Sequence, residues 1–213
     1  MNLIFVHASI GFAAGFLALL ILLHFLKPEF DPSWRMISEY EIGRFGWMMR
    51  LAFFCWGVGV LALLIPLWSS LRSGAGTIGR GWLILIVIAL WGAGIFKTNP
   101  ITETVPNTVN TIHTLCGAIV ILTFPVAATL LVTSLIQNSL WLQVLGPLVF
   151  GTLLVWLGLI SFLASSIISR MIDPSAGRVG PKVYLGWPNR FLVVTYILWL
   201  FLVAGYAARI GVG

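Results

Sequence analysis

The chain reads as an all-α polytopic membrane protein, a bundle of six transmembrane helices. Three observations predict this. Only 8% of its 213 residues are charged and 60% are hydrophobic, against roughly 25% charged in soluble domains, so it could not cover a soluble surface. The apolar residues come in runs of about 20, the length that crosses roughly 30 Å of hydrocarbon. The segments between the runs are short and polar or carry Gly and Pro, which leaves one six-helix domain over 1–213 with no soluble insertion.

Span 1 is expected at 3–26. It lacks a basic stretch ahead of its apolar run, and that run is too long for a signal-peptide core. Ala8, Gly11, Gly15 and Ala18 form a small-residue strip of the kind that lets helix backbones approach in lipid. Packing within the bundle is the favoured reading, and a homo-oligomer is the other. Spans 2 and 3 follow at 47–69 and 80–96. The Gly74–Gly79 stretch between them resembles a phosphate loop but reads as a turn between two spans. Span 4 is expected at 109–134, with Thr104 or Asn107 as its cap. Span 5, at 141–168, carries Gly151, Gly158, Ser161, Ser165 and Ser169 in one sector, a packing strip. Span 6 covers 190–211 and opens on Asn189 and Arg190. Cys55 and Cys116 lie inside spans and read as small packing residues.

Orientation follows from the basic residues. Nine of them (Lys27, Arg35, Arg44, Arg50, Lys97, Arg170, Arg178, Lys182, Arg190) lie on one side and three (Arg72, Arg80, Arg209) on the other. The positive-inside rule then makes loops 27–46, 97–108 and 169–189 cytoplasmic, with both termini outside the plasma membrane. The net charge of +6 is therefore a topology signal. No basic face suited to nucleic acid is present.

All six carboxylates fall on the same side as the nine basic residues, and four of them (Glu29, Asp31, Glu39, Glu41) lie in 29–50. Asp31-Pro32 looks like an N-cap followed by a first-turn proline, and Gly43 looks like a stop. A short interfacial helix is thus expected at 32–42. Arg35–Glu39 and Glu41–Arg44 have the spacing of ordinary surface ion pairs. On the alternative reading, Ser38, Glu39, Tyr40 and Glu41 fold inward over the bundle mouth, where a poorly hydrated carboxylate can act as a general acid or base.

The 96–113 stretch holds five Thr, three Asn and two Pro, a re-entry loop rich in caps. His113 lies about one turn inside span 4, a depth at which ionisable groups face the bundle interior. The main candidates are Glu39, Glu41 and His113 for acid–base chemistry. Ser38, Tyr40, Asn99 and Asn189 are candidates for substrate hydrogen bonds, and Arg190 for an anion contact. No motif names a cofactor, and no His/Cys spacing names a metal.

Ile37-Ser-Glu-Tyr-Glu-Ile-Gly43, then Gly46-Trp47-Met48, the Phe96-Lys97-Thr98-Asn99 turn and His113 together resemble domain-of-unknown-function family 998. These are six-span prokaryotic membrane proteins with no established common activity. The family's turn reads Phe-Pro-Thr-Asp, so Lys97 and Asn99 depart from it and the acid is missing here. The resemblance implies the fold and topology. The residues themselves suggest a membrane enzyme or binding protein for a lipid or isoprenoid-type amphiphile, in a cavity open at the cytoplasmic face. A small transporter is the first alternative, though no acid or base lies deep in any span. A structural or accessory subunit is the second.

Overall fold

The computed structural model describes residues 3–103, 105, 107–176 and 179–211. Among these, seven helices form: α1 (Leu3–Leu26), α2 (Gly46–Leu67), α3 (Gly74–Ile95), α4 (Thr108–Leu135), a short α5 (Ser139–Leu142), α6 (Leu145–Ile172) and α7 (Gly186–Arg209). All except α5 are long and apolar enough to span a membrane. A backbone in hydrocarbon must satisfy its own hydrogen bonds, and a helix does so within one segment.

Two starts differ from the sequence expectation. The Gly74–Gly79 stretch is not a turn. It is the opening of α3, because the Ser73 side chain accepts from the Gly76 amide at 3.1 Å and starts the helix there. α7 likewise begins at Gly186, so Asn189 and Arg190 lie inside its first turns. Asn107 caps α4, accepting from the Val109 amide at 2.8 Å. Thr104, the other cap candidate, and Arg178 lie outside the described residues.

The six long helices close into a ring in the order α1, α2, α3, α4, α6, α7, with α7 packed back on α1. Small residues set the close approaches. Gly59 of α2 faces the backbone of Ser9 and Ala13; of the predicted α1 strip, Gly11 and Ala18 are exposed and Gly15 is half-buried beside Cys55 of α2. Gly151 and Gly158 of α6 do pack on α7. The core is aromatic: Trp56 on α2, Phe124 on α4, and Tyr196 and Trp199 on α7 converge there, with Phe124 stacked on Tyr196 at 4.4 Å.

The thinnest seam in the ring runs between α4 and α6. A hydrogen bond from Trp156 Nε1 to Thr129 Oγ1 ties it at mid-depth (3.0 Å). Nearby, Pro125 has no N–H to offer the carbonyl of Ile121, one turn earlier. The Tyr196 hydroxyl donates to that carbonyl instead, at 2.7 Å. The partner lost within α4 is thus replaced from α7.

This substitution predicts a coupling. Tyr196→Phe strands the Ile121 carbonyl and should cost about 1–2 kcal/mol. In a Pro125→Ala background, where an alanine amide serves the same carbonyl, the cost should be markedly smaller. A double-mutant cycle on unfolding in detergent checks this, and equal costs in both backgrounds would refute the exchange.

Candidate functional site

The C-terminal ends of α1, α3 and α6 and the N-terminal ends of α2, α4 and α7 share one end of the bundle. Residues 27–45 cross that end. The expected helix over 32–42 is absent; the segment forms turns and then a 3-10 helix at Ile37–Glu41. Contacts from α7 hold it in this path. Arg190 donates to the carbonyl of Arg35 at 2.7 Å and reaches that of Pro32 at 3.4 Å, and the Gly186 amide donates to the Ser33 carbonyl at 3.1 Å. The segment also lies directly against Gly186, where an added Cβ would strike the backbone of Pro32 and Trp34. Asp31 caps one turn only, accepting from the Ser33 amide at 2.8 Å. Gly43, at φ +73°, ends the 3-10 helix in the left-handed region.

Four buried charges hold this cap. Two are cations that bind its carbonyls. Lys27, 1% exposed, donates to the carbonyls of Tyr40 (2.9 Å) and Ile42. Arg190 also donates to the Tyr40 hydroxyl (3.0 Å) and to His24 Nε2 (2.7 Å). The tautomer of His24 follows, since its Nδ1 meets only the Leu20 carbonyl and must donate to it. The other two are carboxylates that bind amides of the loop after α3. Glu39 accepts from the Ile101 amide at 2.8 Å and from the Met36 amide at 3.0 Å, with Arg35 at 3.2 Å. Glu41 accepts from the Thr98 amide at 3.1 Å and faces His113 Nδ1 at 3.6 Å. Burial raises both acids above the ordinary carboxylate range, Glu41 to about 7, against the pull of those amides and of nearby cations. Burial lowers Lys27 in turn.

Arg35–Glu39 therefore is an ion pair, as its spacing suggested, but one whose acid is 1% exposed. Glu41 makes no pair with Arg44 among the described residues; it turns inward to Thr98 and His113.

Beneath the cap lies a cavity of about 470 Å³. Its mouth carries Ser38, Glu39, Asn99, Glu103, Asn110 and Asn189. Its depth is walled by Phe53 and Trp56 of α2, Leu90 of α3, Val120 and Ile121 of α4, and Leu192 of α7. One flank is the α4–α6 seam, where Thr114, Gly117 and Leu122 line the space along with Phe162 of α6. Leu122 is 48% exposed and Thr114 is exposed as well, so this part of the lining also lies on the outer flank of the bundle.

The cavity wall includes Ser38, Glu39, Asn99, His113 and Asn189. Tyr40, Glu41 and Arg190 stand behind it, bonded into the cap. His24 and His113 do not meet, since each is anchored to a different helix end. Lys27, Asn110 and Glu103 emerge only from the structure. Asn110 carries the 98–99 turn on its side-chain oxygen, which accepts from the Asn99 amide at 2.9 Å, and its signal was an Asn one turn into a helix facing the same loop.

The family model for DUF998, a protein family of unknown function, matches residues 10–206. No curated protein and no solved structure matches the chain.

The raised carboxylates make stability depend on pH. Glu41 titrates near 4.5 when unfolded and near 7 when folded, so across that window the folded state holds a proton that the unfolded state has lost. This contribution is complete below about 4.5 and disappears as pH rises through about 7, and Glu39 acts in the same direction. Between about pH 5 and pH 8 the slope of melting temperature against pH in detergent should be more negative in the wild type than in Glu41→Gln. An unchanged slope in the variant would show that Glu41 is not the group responsible.

Proposed function

Because the chain belongs to the DUF998 family, whose members have no assigned function, we propose its role from its own geometry: an integral membrane protein that takes a single-chain amphiphile, a lipid or isoprenoid-type molecule, into the cavity between α4 and α6. One observation carries this reading: the cavity lining is polar toward the loops and apolar along its depth, and part of it, Thr114 and Leu122, is exposed on the bundle's flank. Its volume lies within the roughly 300–1,000 Å³ typical of small-molecule sites. A molecule dissolved in the bilayer could slide in head-first at the level of the loops and lay its chain along Trp56, Val120 and Leu192.

Binding fits the carboxylates better than turnover does. Glu39 faces the cavity, yet both its oxygens already accept from backbone amides. Glu41 sits behind the wall. Their first role is to hold the 98–101 strap over the site. His113 is the remaining acid–base candidate on the wall. The basic residues crowd the cavity end, which by the positive-inside rule makes the mouth cytoplasmic.

Native mass spectrometry tests the binding. The wild type, incubated with a lipid extract, should carry a bound amphiphile of defined mass. Gly117→Trp should lose it while melting close to the wild type, because a Cβ at Gly117 meets nothing within 4 Å and the new ring has the cavity to enter. Retention of the ligand by that variant, or an apo wild type, would overturn the proposal. Orientation is tested by cysteine labelling in a Cys55→Ala, Cys116→Ala background. A membrane-impermeant maleimide on intact cells should label Asn138→Cys and spare Glu29→Cys. The reverse pattern would put the mouth outside.

A further inference from the structure

Resting on the amphiphile reading, this inference concerns what the site selects. A hydrocarbon chain moving from bilayer to apolar cavity gains little, because lipid tails are as apolar as leucine. Discrimination among membrane amphiphiles therefore falls to the polar groups at the mouth.

The charged side chains lining the cavity are Glu39 and Glu103, both acids, and no Lys or Arg lines it among the described residues. The cations nearby are committed elsewhere. Lys27 is bound to the Tyr40 and Ile42 carbonyls. Arg190 is bound to carbonyls, Tyr40 and His24. Arg35 pairs with Glu39 and lies over the rings of Phe30 and Trp34.

A second, independent feature is His113, a wall residue only 4% exposed. Its Nδ1 lies 2.7 Å from the Phe96 carbonyl and 3.1 Å from that of Ala93. Carbonyls only accept, so Nδ1 carries the hydrogen. The Glu41 carboxylate, 3.6 Å from the same nitrogen, is a further acceptor for that hydrogen. In the neutral ring Nε2 is then a lone-pair acceptor, and no hydrogen bond among the described residues uses it, so it is free to accept from a ligand in the cavity.

We infer that the ligand's headgroup is a cationic amine, donating to His113 Nε2 and lying near the Glu39 and Glu103 carboxylates, and that anionic headgroups are rejected. A phosphate would bring its charge against the Glu103 carboxylate and the His113 lone pair, with Arg35 already paired to Glu39 and no other Lys or Arg on the cavity wall among the described residues, an arrangement that discriminates through repulsion.

The test uses three probes with one chain: dodecylamine, dodecanol and dodecyl phosphate. Each is titrated against the full-length protein in phosphatidylcholine nanodiscs and read by native mass spectrometry. The amine should bind about tenfold more tightly than the alcohol, and the phosphate most weakly. Glu103→Gln should narrow the amine's advantage over the alcohol several-fold. Its exposure makes that variant safe for folding. His113→Phe should narrow the advantage too, with its melting temperature measured alongside. Phosphate binding as tight as the amine's, or an amine advantage untouched in Glu103→Gln, overturns the inference. If all three probes bind alike and Gly117→Trp abolishes all three, the cavity reading stands and the headgroup inference alone falls. If none binds, both fall.

Discussion

Everything at the loop end of this bundle depends on four buried charges that substitute for missing backbone hydrogen bonds. Residues 27–45 and 97–103 cross the mouth in turns and one short 3-10 helix, so many of their amides and carbonyls have no ladder to join. Buried polar backbone groups without partners are costly. Lys27 and Arg190 supply donors to the carbonyls of the first segment. Glu39 and Glu41 supply acceptors to the amides of the second. Each is held by the backbone groups it binds, and charges beside it add to that: Arg35 and Arg190 act on Glu39, Arg50 and Lys97 on Glu41, and Glu29 on Lys27.

This arrangement explains what was legible in the sequence and what was not. The six spans could be read because a run of about 20 apolar residues has few fates other than crossing the bilayer. Local chemistry at 31–43 pointed to a helix: Asp31-Pro32 as an opening, Gly43 as a stop, an ion pair at Arg35 and Glu39. That pair does form. The helix does not: Arg190 and Gly186, more than 150 residues away, hold the segment in another path, and no local pattern encodes a distant contact. The start of α3 was missed for the opposite reason. Ser73 is a good local cap, but six residues rich in glycine looked more like a turn than like the first turns of a helix.

The candidate residues divide along the same line. Ser38, Glu39 and Tyr40 are consecutive on a 3-10 turn, and such a turn sends neighbours in different directions. Ser38 and Glu39 reach the cavity, while Tyr40 turns back toward Lys27, His24 and Arg190. A sequence can show that a segment is amphipathic, but the hand of a three-residue turn decides which of its polar groups sees the cavity. Arg190 looked like an anion site because an arginine near a helix start is usually free to bind one. Its guanidinium is instead occupied on nearly every edge, which removes the one cation that would have suited a phosphate.

The seam between α4 and α6 draws these threads together. Pro125 weakens α4 within its own ladder, and Tyr196 repairs it from α7 rather than from α6. The repair binds α4 toward the bundle centre. On its other side α4 holds α6 through the Trp156–Thr129 bond at mid-depth, and nearer the loops it presents Thr114, Gly117 and Ala118 to the cavity. Small side chains on one helix and a tie below them leave a gap that the apolar wall does not close. The same features that anchor the centre of α4 therefore open its flank, and the buried charges above keep the loops from collapsing into the space.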